Sequence, residues 1–204
     1  MEAWNHNTDY HDVLLRAVPP NCQMALDVGC GQGAFTRKLA EYSQKVIAID
    51  ADSETLCDAR SANVSERPIT YVEGDVLRFV LSEESFDYIA VVASLHHLPL
   101  RQALVRFRCL LKSGGVLAVV GLYRLQTIQD FGFAAVARPT SQVLRWVHSR
   151  SAQAERPQGS LKDPPIREPA ETLREIGDAF TSLLPGGQFK RHLLFRYSFV
   201  WRKP

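Results

Sequence analysis

Three glycines at alternate positions, Gly29, Gly31 and Gly33, follow an apolar run carrying one acid, Leu26-Asp27-Val28, and lead into Ala34-Phe35. No other stretch constrains the fold so tightly. A strand, a glycine turn and a helix in that order let backbone N–H groups approach a ligand that a Cβ would keep away. Asp50 closes the next apolar run, Val46–Ile49. It lies about 20 positions further on, where an acid that takes ribose hydroxyls is expected. The pattern predicts a site for a nucleoside-bearing cofactor.

Five short apolar runs punctuate the chain as far as Gly121: Met24–Val28, Val46–Ile49, Ile69–Val72, Tyr88–Val92 and Val116–Gly121. They are continuous rather than alternating, as strands covered on both faces are. Segments with helical spacing separate them, such as Phe35, Leu39 and Tyr42, or Leu104, Phe107, Leu110 and Leu111. This alternation predicts a parallel, doubly wound α/β sheet. Asp9–Val18 reads as a helix ended by Pro19-Pro20, and Gly114-Gly115 as a helix stop before strand five. Beyond Gly121, Thr127–Val147 reads as mainly helical with Pro139 interrupting it, and Ser151–Pro169 as a loop. Pro169 is placed to open a last helix with Leu173, Ile176 and Phe180 on its apolar face. Pro185-Gly186-Gly187 ends it. Two strand-like runs follow, Phe189–Phe195 and Tyr197–Trp201, compatible with a bulge, a tight turn or one long strand.

A chain of 204 residues is most simply one domain. Its expected parts are an N-terminal helical cap (1–20), a cofactor-binding core (21–121), a helical and loop insertion (122–169), and a final helix with the last strands (170–204). The net charge of +2 gives no argument for a nucleic-acid partner. The four cysteines, Cys22, Cys30, Cys57 and Cys109, form no C-x-x-C pair. With no signal-peptide pattern and no apolar stretch of about 18 residues, the expectation is a cytoplasmic protein without a membrane span.

The glycine spacing is G-x-G-x-G, not the G-x-G-x-x-G that sets a helix against a pyrophosphate. Asp27, two residues before the first glycine, would repel a pyrophosphate but suits an ammonium group. In these features the chain resembles the class I S-adenosylmethionine (SAM)-dependent methyltransferases, over nearly all of residues 10–121. Asp27-Val28-Gly29-Cys30-Gly31-Gln32-Gly33 is similar to the first motif of that family, and Ile49-Asp50, with Ala51 beside it, to the second. Glu73-Gly74-Asp75-Val76 is similar to the third. Phe86–Leu98 resembles the fourth strand with its active-site loop, and Leu110–Leu117 the entry to strand five. The resemblance implies a Rossmann-like, seven-stranded, mostly parallel sheet closed by an antiparallel pair, with Arg196–Pro204 as the closing strand. It implies SAM as cofactor and S-adenosylhomocysteine as product. Asp50 would hold the ribose, Asp75 and the N–H of Val76 the adenine, and Ala93 and Ser94 the methionine part.

His96 and His97, just past strand four, are the candidates for a general base. Tyr10 and His11, with Trp4 and His6, suggest a cap over the cofactor, and Tyr123 and Arg124 a wall of the acceptor pocket. No metal is expected, because no carboxylate or cysteine pairing supports one. Arg191, His192, Arg196, Arg202 and Lys203 read as solvated positions of a hairpin more readily than as a nucleic-acid patch. The function expected is methyl transfer to an O, N or C nucleophile of a small molecule, with no nucleic-acid or membrane partner. The alternatives are a nucleic-acid methyltransferase and a non-catalytic SAM-binding partner protein.

Overall fold

A computed structural model describes residues 10–63, 67–124, 169–192 and 196–204. Trp4, His6, the helix expected over Thr127–Val147 and the loop expected from Ser151 to residue 168 lie outside them. In chain order the elements are α1 (His11–Leu15), β1 (Cys22–Val28), α2 (Ala34–Leu39), β2 (Ser43–Asp50), α3 (Ser53–Ser61), β3 (Ile69–Glu73) and β4 (Phe86–Val92). Then come α4 (Leu100–Leu110), β5 (Leu111–Leu122), α5 (Leu173–Leu183), β6 (Gln188–Arg191) and β7 (Arg196–Arg202).

The strands form one seven-stranded sheet in the order β3-β2-β1-β4-β5-β7-β6. β1 to β5 run parallel; β7 lies antiparallel to β5 and β6 antiparallel to β7. Winding goes outward from β1 to β3, then returns to β4 on the other side of β1. The crevice between β1 and β4 at their carboxyl ends is therefore the topological switch point, where ligands of such sheets bind.

The central strands β1, β4 and β5 feed two cores. Leu26, Val28, Ile89, Val91, Leu117 and Val119 pack under α4 and α5 with Leu104, Phe107, Ile176 and Phe180. The alternate residues Ala25, Tyr88, Ala90, Ala118 and Val120 pack with Leu14, Phe35 and Leu39 on the opposite face. This two-sided burial is why the strands read as unbroken apolar runs. α4 buries Ala103, Leu104, Phe107 and Leu110 along one stripe, each large side chain contributing about 1.5–3 kcal/mol. Tyr88 reaches through its core to donate its hydroxyl to Leu14 O (2.8 Å), fastening α1.

The structure departs from the sequence expectations in three places and settles a fourth that was open. Tyr42 lies beyond α2 and is 52% exposed. Gly114-Gly115 does not end α4, which stops at Leu110. The pair sits inside β5, where the register against β4 jumps from Phe86↔Leu111 to Tyr88↔Val116. A Cβ on Gly115 would come within 2.9 Å of Lys112 O, so glycine is required by this irregularity. It also receives the chain end, through Gly114 N–H to Lys203 O (2.9 Å) and Lys203 N–H to Gly115 O (2.8 Å). Pro169 does not open the last helix. Thr172 does, in a capping box with Glu175: Thr172 Oγ1 accepts from Glu175 N–H (3.3 Å) and Thr172 N–H donates to Glu175 Oε2 (2.8 Å). The last two apolar runs form a hairpin, with Arg191 opposite Tyr197.

Replacing Thr172 by Ala removes the hydroxyl, which accepts from Glu175 N–H and donates to Glu175 Oε2, and leaves only the backbone N–H bond of the box. Urea unfolding should show a loss of about 1 kcal/mol at unchanged m, and an unchanged midpoint would count against the cap.

Candidate functional site

The glycine turn springs from the carboxyl end of β1. Gly29, Gly31 and Gly33 all have left-handed φ values, 68°, 53° and 75°. Their surroundings differ. A Cβ on Gly29 would overlap the side chain of Ser94, and one on Gly33 would lie 2.8 Å from the Tyr71 hydroxyl. A Cβ on Gly31 would meet only the Thr55 methyl, at 3.9 Å. Two of the glycines therefore serve internal packing, and only Gly31 borders open space.

The turn's amides also depart from the expectation that they face a ligand. Gly29 and Cys30 donate to Ile49 O (2.8 and 3.3 Å), Gly33 donates to Cys30 O (2.9 Å), and Gly31 donates to Asp50 Oδ2 (2.8 Å). A pyrophosphate would need such N–H groups, and here they are used within the protein.

Asp50 ends β2 beside this turn. Its second oxygen, Oδ1, accepts from Asp52 N–H (3.0 Å). An ionised carboxylate has about four lone-pair sites, so capacity remains for a diol. Ala51 follows and is exposed. Asp75 is brought alongside by Gly74 N–H, which donates to Asp50 O (2.8 Å). Its carboxylate accepts from Leu77 N–H (2.9 Å) and meets Arg78 in an exposed ion pair at 3.7 Å. Val76 turns its side chain into the core, 3% exposed.

Asp27 is 1% exposed and points into the core under α2. Thr36 Oγ1 donates to its Oδ2 at 2.6 Å. Burial, partly offset by that bond and joined by the nearby Asp50 charge, raises the Asp27 carboxyl to about 7. Cys30, in the turn, is pushed well up by burial and by Asp27 and Asp50, so it stays a thiol.

The loop after β4 carries the histidines. Ala93 has a left-handed φ of 51°, a strained choice for a residue with a Cβ. Ser94 Oγ donates to Val28 O (2.6 Å), crossing from β4 to β1. Leu95–His97 then form one short 3-10 turn, with His97 N–H donating to Ser94 O (3.1 Å). The two imidazoles lie 4.0 Å apart, His96 half-buried and His97 exposed. No side chain caps α4.

Tyr10 lies 5.0 Å from His192, and the Arg196 guanidinium stands 5.8 Å from the Tyr10 ring centre. His11 is buried edge-on against Phe35, at 5.0 Å. Tyr123 is buried and accepts from Arg191 Nε (2.9 Å). Arg124 is exposed and pairs through its backbone with Thr172. Sequence reasoning missed Thr36 and the tie made by Ser94. A hydroxyl nine residues after Asp27, on the first turn of the helix, was the available signal for the first. Among the described residues no group of three or more His, Cys, Asp or Glu is gathered as for a metal ion. No described helix is long and apolar enough to cross a membrane.

The sheet order, the acid-framed glycine turn and its internally satisfied amides define a doubly wound α/β protein with a site for a phosphate-free nucleoside cofactor. A methyltransferase-domain family model matches residues 26–119. An uncharacterized methyltransferase of Mycobacterium tuberculosis is 32% identical over 100% of this chain and 98% of its own. A demethylmenaquinone methyltransferase of Roseiflexus castenholzii is 27% identical over 79% of this chain and 70% of its own. The crystal structure of the N-methyltransferase NodS from Bradyrhizobium japonicum, in complex with S-adenosylhomocysteine, superposes with a TM-score of 0.64. It is 20% identical and covers 98% of this chain and 89% of that one. The chain belongs to the class I SAM-dependent methyltransferases, and SAM is its cofactor.

The Asp27 environment has a pH consequence. Its folded pKa, about 7, lies above the ordinary 3.8. The unfolded chain therefore loses this proton first as pH rises, and stability contributed by the neutral carboxyl falls between about pH 4 and pH 7. Thermal melts of the cofactor-free protein should show wild type losing stability relative to Asp27→Asn over that window. Parallel curves would show that Asp27 ionises normally.

Proposed function

We propose that this chain transfers the methyl group of SAM to an O, N or C nucleophile of a small-molecule acceptor at the carboxyl edge of β4 and β5. The observation that carries the reading is the space at Gly31: the turn is left-handed, its amides are used internally, and of the three glycines only Gly31 leaves room where a Cβ would stand. That fits a ligand that lies against the turn without a phosphate.

In this reading Gly29, Cys30, Gly31 and Gly33 form the cradle, and Asp50 with Ala51 takes the ribose hydroxyls. Asp75 and the N–H of Val76 take the adenine, consistent with the Gly74–Asp50 bond that sets Asp75 beside the ribose site. Asp27 faces the ammonium from beneath the turn, and a cation drawn there would hold its carboxyl ionised. Ala93 and Ser94 border the methionine part. When bound, the cofactor supplies an electrophilic methyl group on a sulfonium sulfur and leaves as S-adenosylhomocysteine. The chain's own work is alignment, exclusion of water and proton removal. His96 or His97 takes the acceptor's proton, and Tyr10, His11, Tyr123 and Arg124 border the acceptor.

A small acceptor is supported by how the basic residues of the hairpin are used. Arg191 donates to Tyr123, and His192 lies 2.7 Å from Ser198 Oγ. Arg202 donates to Gly114 O (2.9 Å), and Lys203 to Leu111 O (2.7 Å) and Glu84 (3.1 Å). Burial and Lys190 lower the His192 pKa, leaving its ring neutral near pH 7. These groups tie strands together rather than offering a cationic face to a nucleic acid. The acceptor named for the menaquinone-pathway relative is also a small molecule.

Transfer of labelled methyl from SAM into a metabolite extract tests the reading. A labelled small molecule is expected. Label confined to RNA or DNA, or no transfer despite tight SAM binding, would favour the two alternatives in turn. Gly31→Ala should weaken SAM binding at least about tenfold by calorimetry, because its Cβ enters ligand space, while the fold survives. His96→Ala or His97→Ala should lower kcat by about 10²–10⁴ if that ring is the base, with SAM affinity unchanged. Equal pH–rate profiles for wild type and both variants would remove the histidines from proton transfer.

A further inference from the structure

We propose that Ser94 is a positioning residue that carries occupancy of the cofactor turn to the His96–His97 loop, so that donor binding sets the acceptor side. The proposal rests on the reading that this loop borders the acceptor.

β1 and β4 remain paired as far as Val28↔Val91. Beyond that pair each attaches to its outer neighbour. Gly29 and Cys30 donate to Ile49 O of β2, and Ala93 N–H donates to Val120 O of β5 at 2.7 Å. The two strands part, and the crevice opens between them. Ser94 bridges the gap: its hydroxyl donates to Val28 O at 2.6 Å, and its side chain fills the place a Cβ of Gly29 would need. Ser94 also holds the loop on its other side, because its carbonyl accepts the His97 N–H at 3.1 Å. A single residue thus touches the base of the turn with its side chain and the histidine turn with its backbone.

The preceding residue makes this tie consequential. Ala93 sits at φ 51°, a conformation that persists only where the surroundings impose it. Ala93 N–H on β5 and Ser94 Oγ on β1 fix it from both sides. A ligand that settles the glycine turn settles Val28 O and the wall beside Gly29, and through Ser94 the path of Leu95–His97. Linkage makes the effect reciprocal: an acceptor that orders the loop tightens the donor by the same factor.

The test is amide hydrogen exchange on the full chain, with S-adenosylhomocysteine as probe and its affinity measured by calorimetry. In wild type the probe should slow exchange at His97 and Leu98 about tenfold. Ser94→Ala keeps the Cβ beside Gly29 and loses the hydroxyl. With the probe raised to saturation as judged by calorimetry, whatever the variant's affinity, it should show less than about twofold slowing at His97 and Leu98. Ser94→Thr keeps a hydroxyl and should restore the slowing. Full slowing in Ser94→Ala would overturn the proposal, as would a wild-type complex with no change at His97. If Ser94→Ala does not fold, loss of slowing in a folded Ser94→Thr would overturn it. Failure of the wild type to bind the probe would instead strike the cofactor site itself.

Discussion

The carboxyl edge of this sheet depends on how β1 disposes of its last backbone amides. A central strand buried on both faces cannot leave polar groups unpaired where it ends. Here the chain turns back on β2, so that one carbonyl, Ile49 O, takes two successive amides and the Asp50 carboxylate takes a third. Left-handed glycines are what that path requires. β4, parted from β1 beyond Val91, keeps its ladder with β5, which runs from Tyr88↔Val116 to Val92↔Val120. Ala93 N–H goes to β5, and Ser94 supplies a hydroxyl to the Val28 carbonyl that β1 leaves behind. The crevice opens between β1 and β4 where each continues only with its outer neighbour.

Asp27 shows the opposite tendency. A carboxyl with 1% exposure in the apolar core beneath α2 works against stability once it ionises. Thr36 offsets part of that cost with one short bond. Local rules are broken at few other places in the sheet, and such departures gather where a protein must recognise something. A cationic ligand arriving above Asp27 turns an unfavourable charge into a paired one. Under the proposed function this acid, unfavourable in the empty protein, gains a counter-charge from the donor's ammonium group.

Much of this was legible from residue order. The five parallel strands were marked by unbroken apolar runs because both faces are covered, and the periods of α4 and α5 were marked by their buried stripes. The acids proposed for the site, Asp27, Asp50 and Asp75, stood at or just past the ends of strands that the pattern located. What was not legible depended on contacts distant in sequence. Gly114 and Gly115 resemble a helix stop, yet they serve a strand irregularity that exists only because Phe86 lies opposite Leu111. The hairpin of β6 and β7 was ambiguous because only Arg196 separated its apolar runs. The role of Thr172 was hidden by Pro169, a stronger local helix signal, and emerges only with Glu175 folded back on it. Ser94 carries no local signal, since its partner is 66 residues away.

The same distinction separates formal charge from the charge a partner meets. The last 14 residues contain Arg191, Arg196, Arg202 and Lys203, which read along the chain as solvated positions of a hairpin. In the fold Lys203 reaches Glu84 and the Leu111 carbonyl, Arg202 reaches Gly114 O, and Arg191 lies against Tyr123. Their cations fasten the closing strands to β5 and to the segment before β4. A phosphate backbone reaching these groups would have to compete with their intramolecular partners. At the turn the Asp50 carboxylate remains, accepting from Gly31 N–H and Asp52 N–H, and under the proposed function it favours a donor without phosphate.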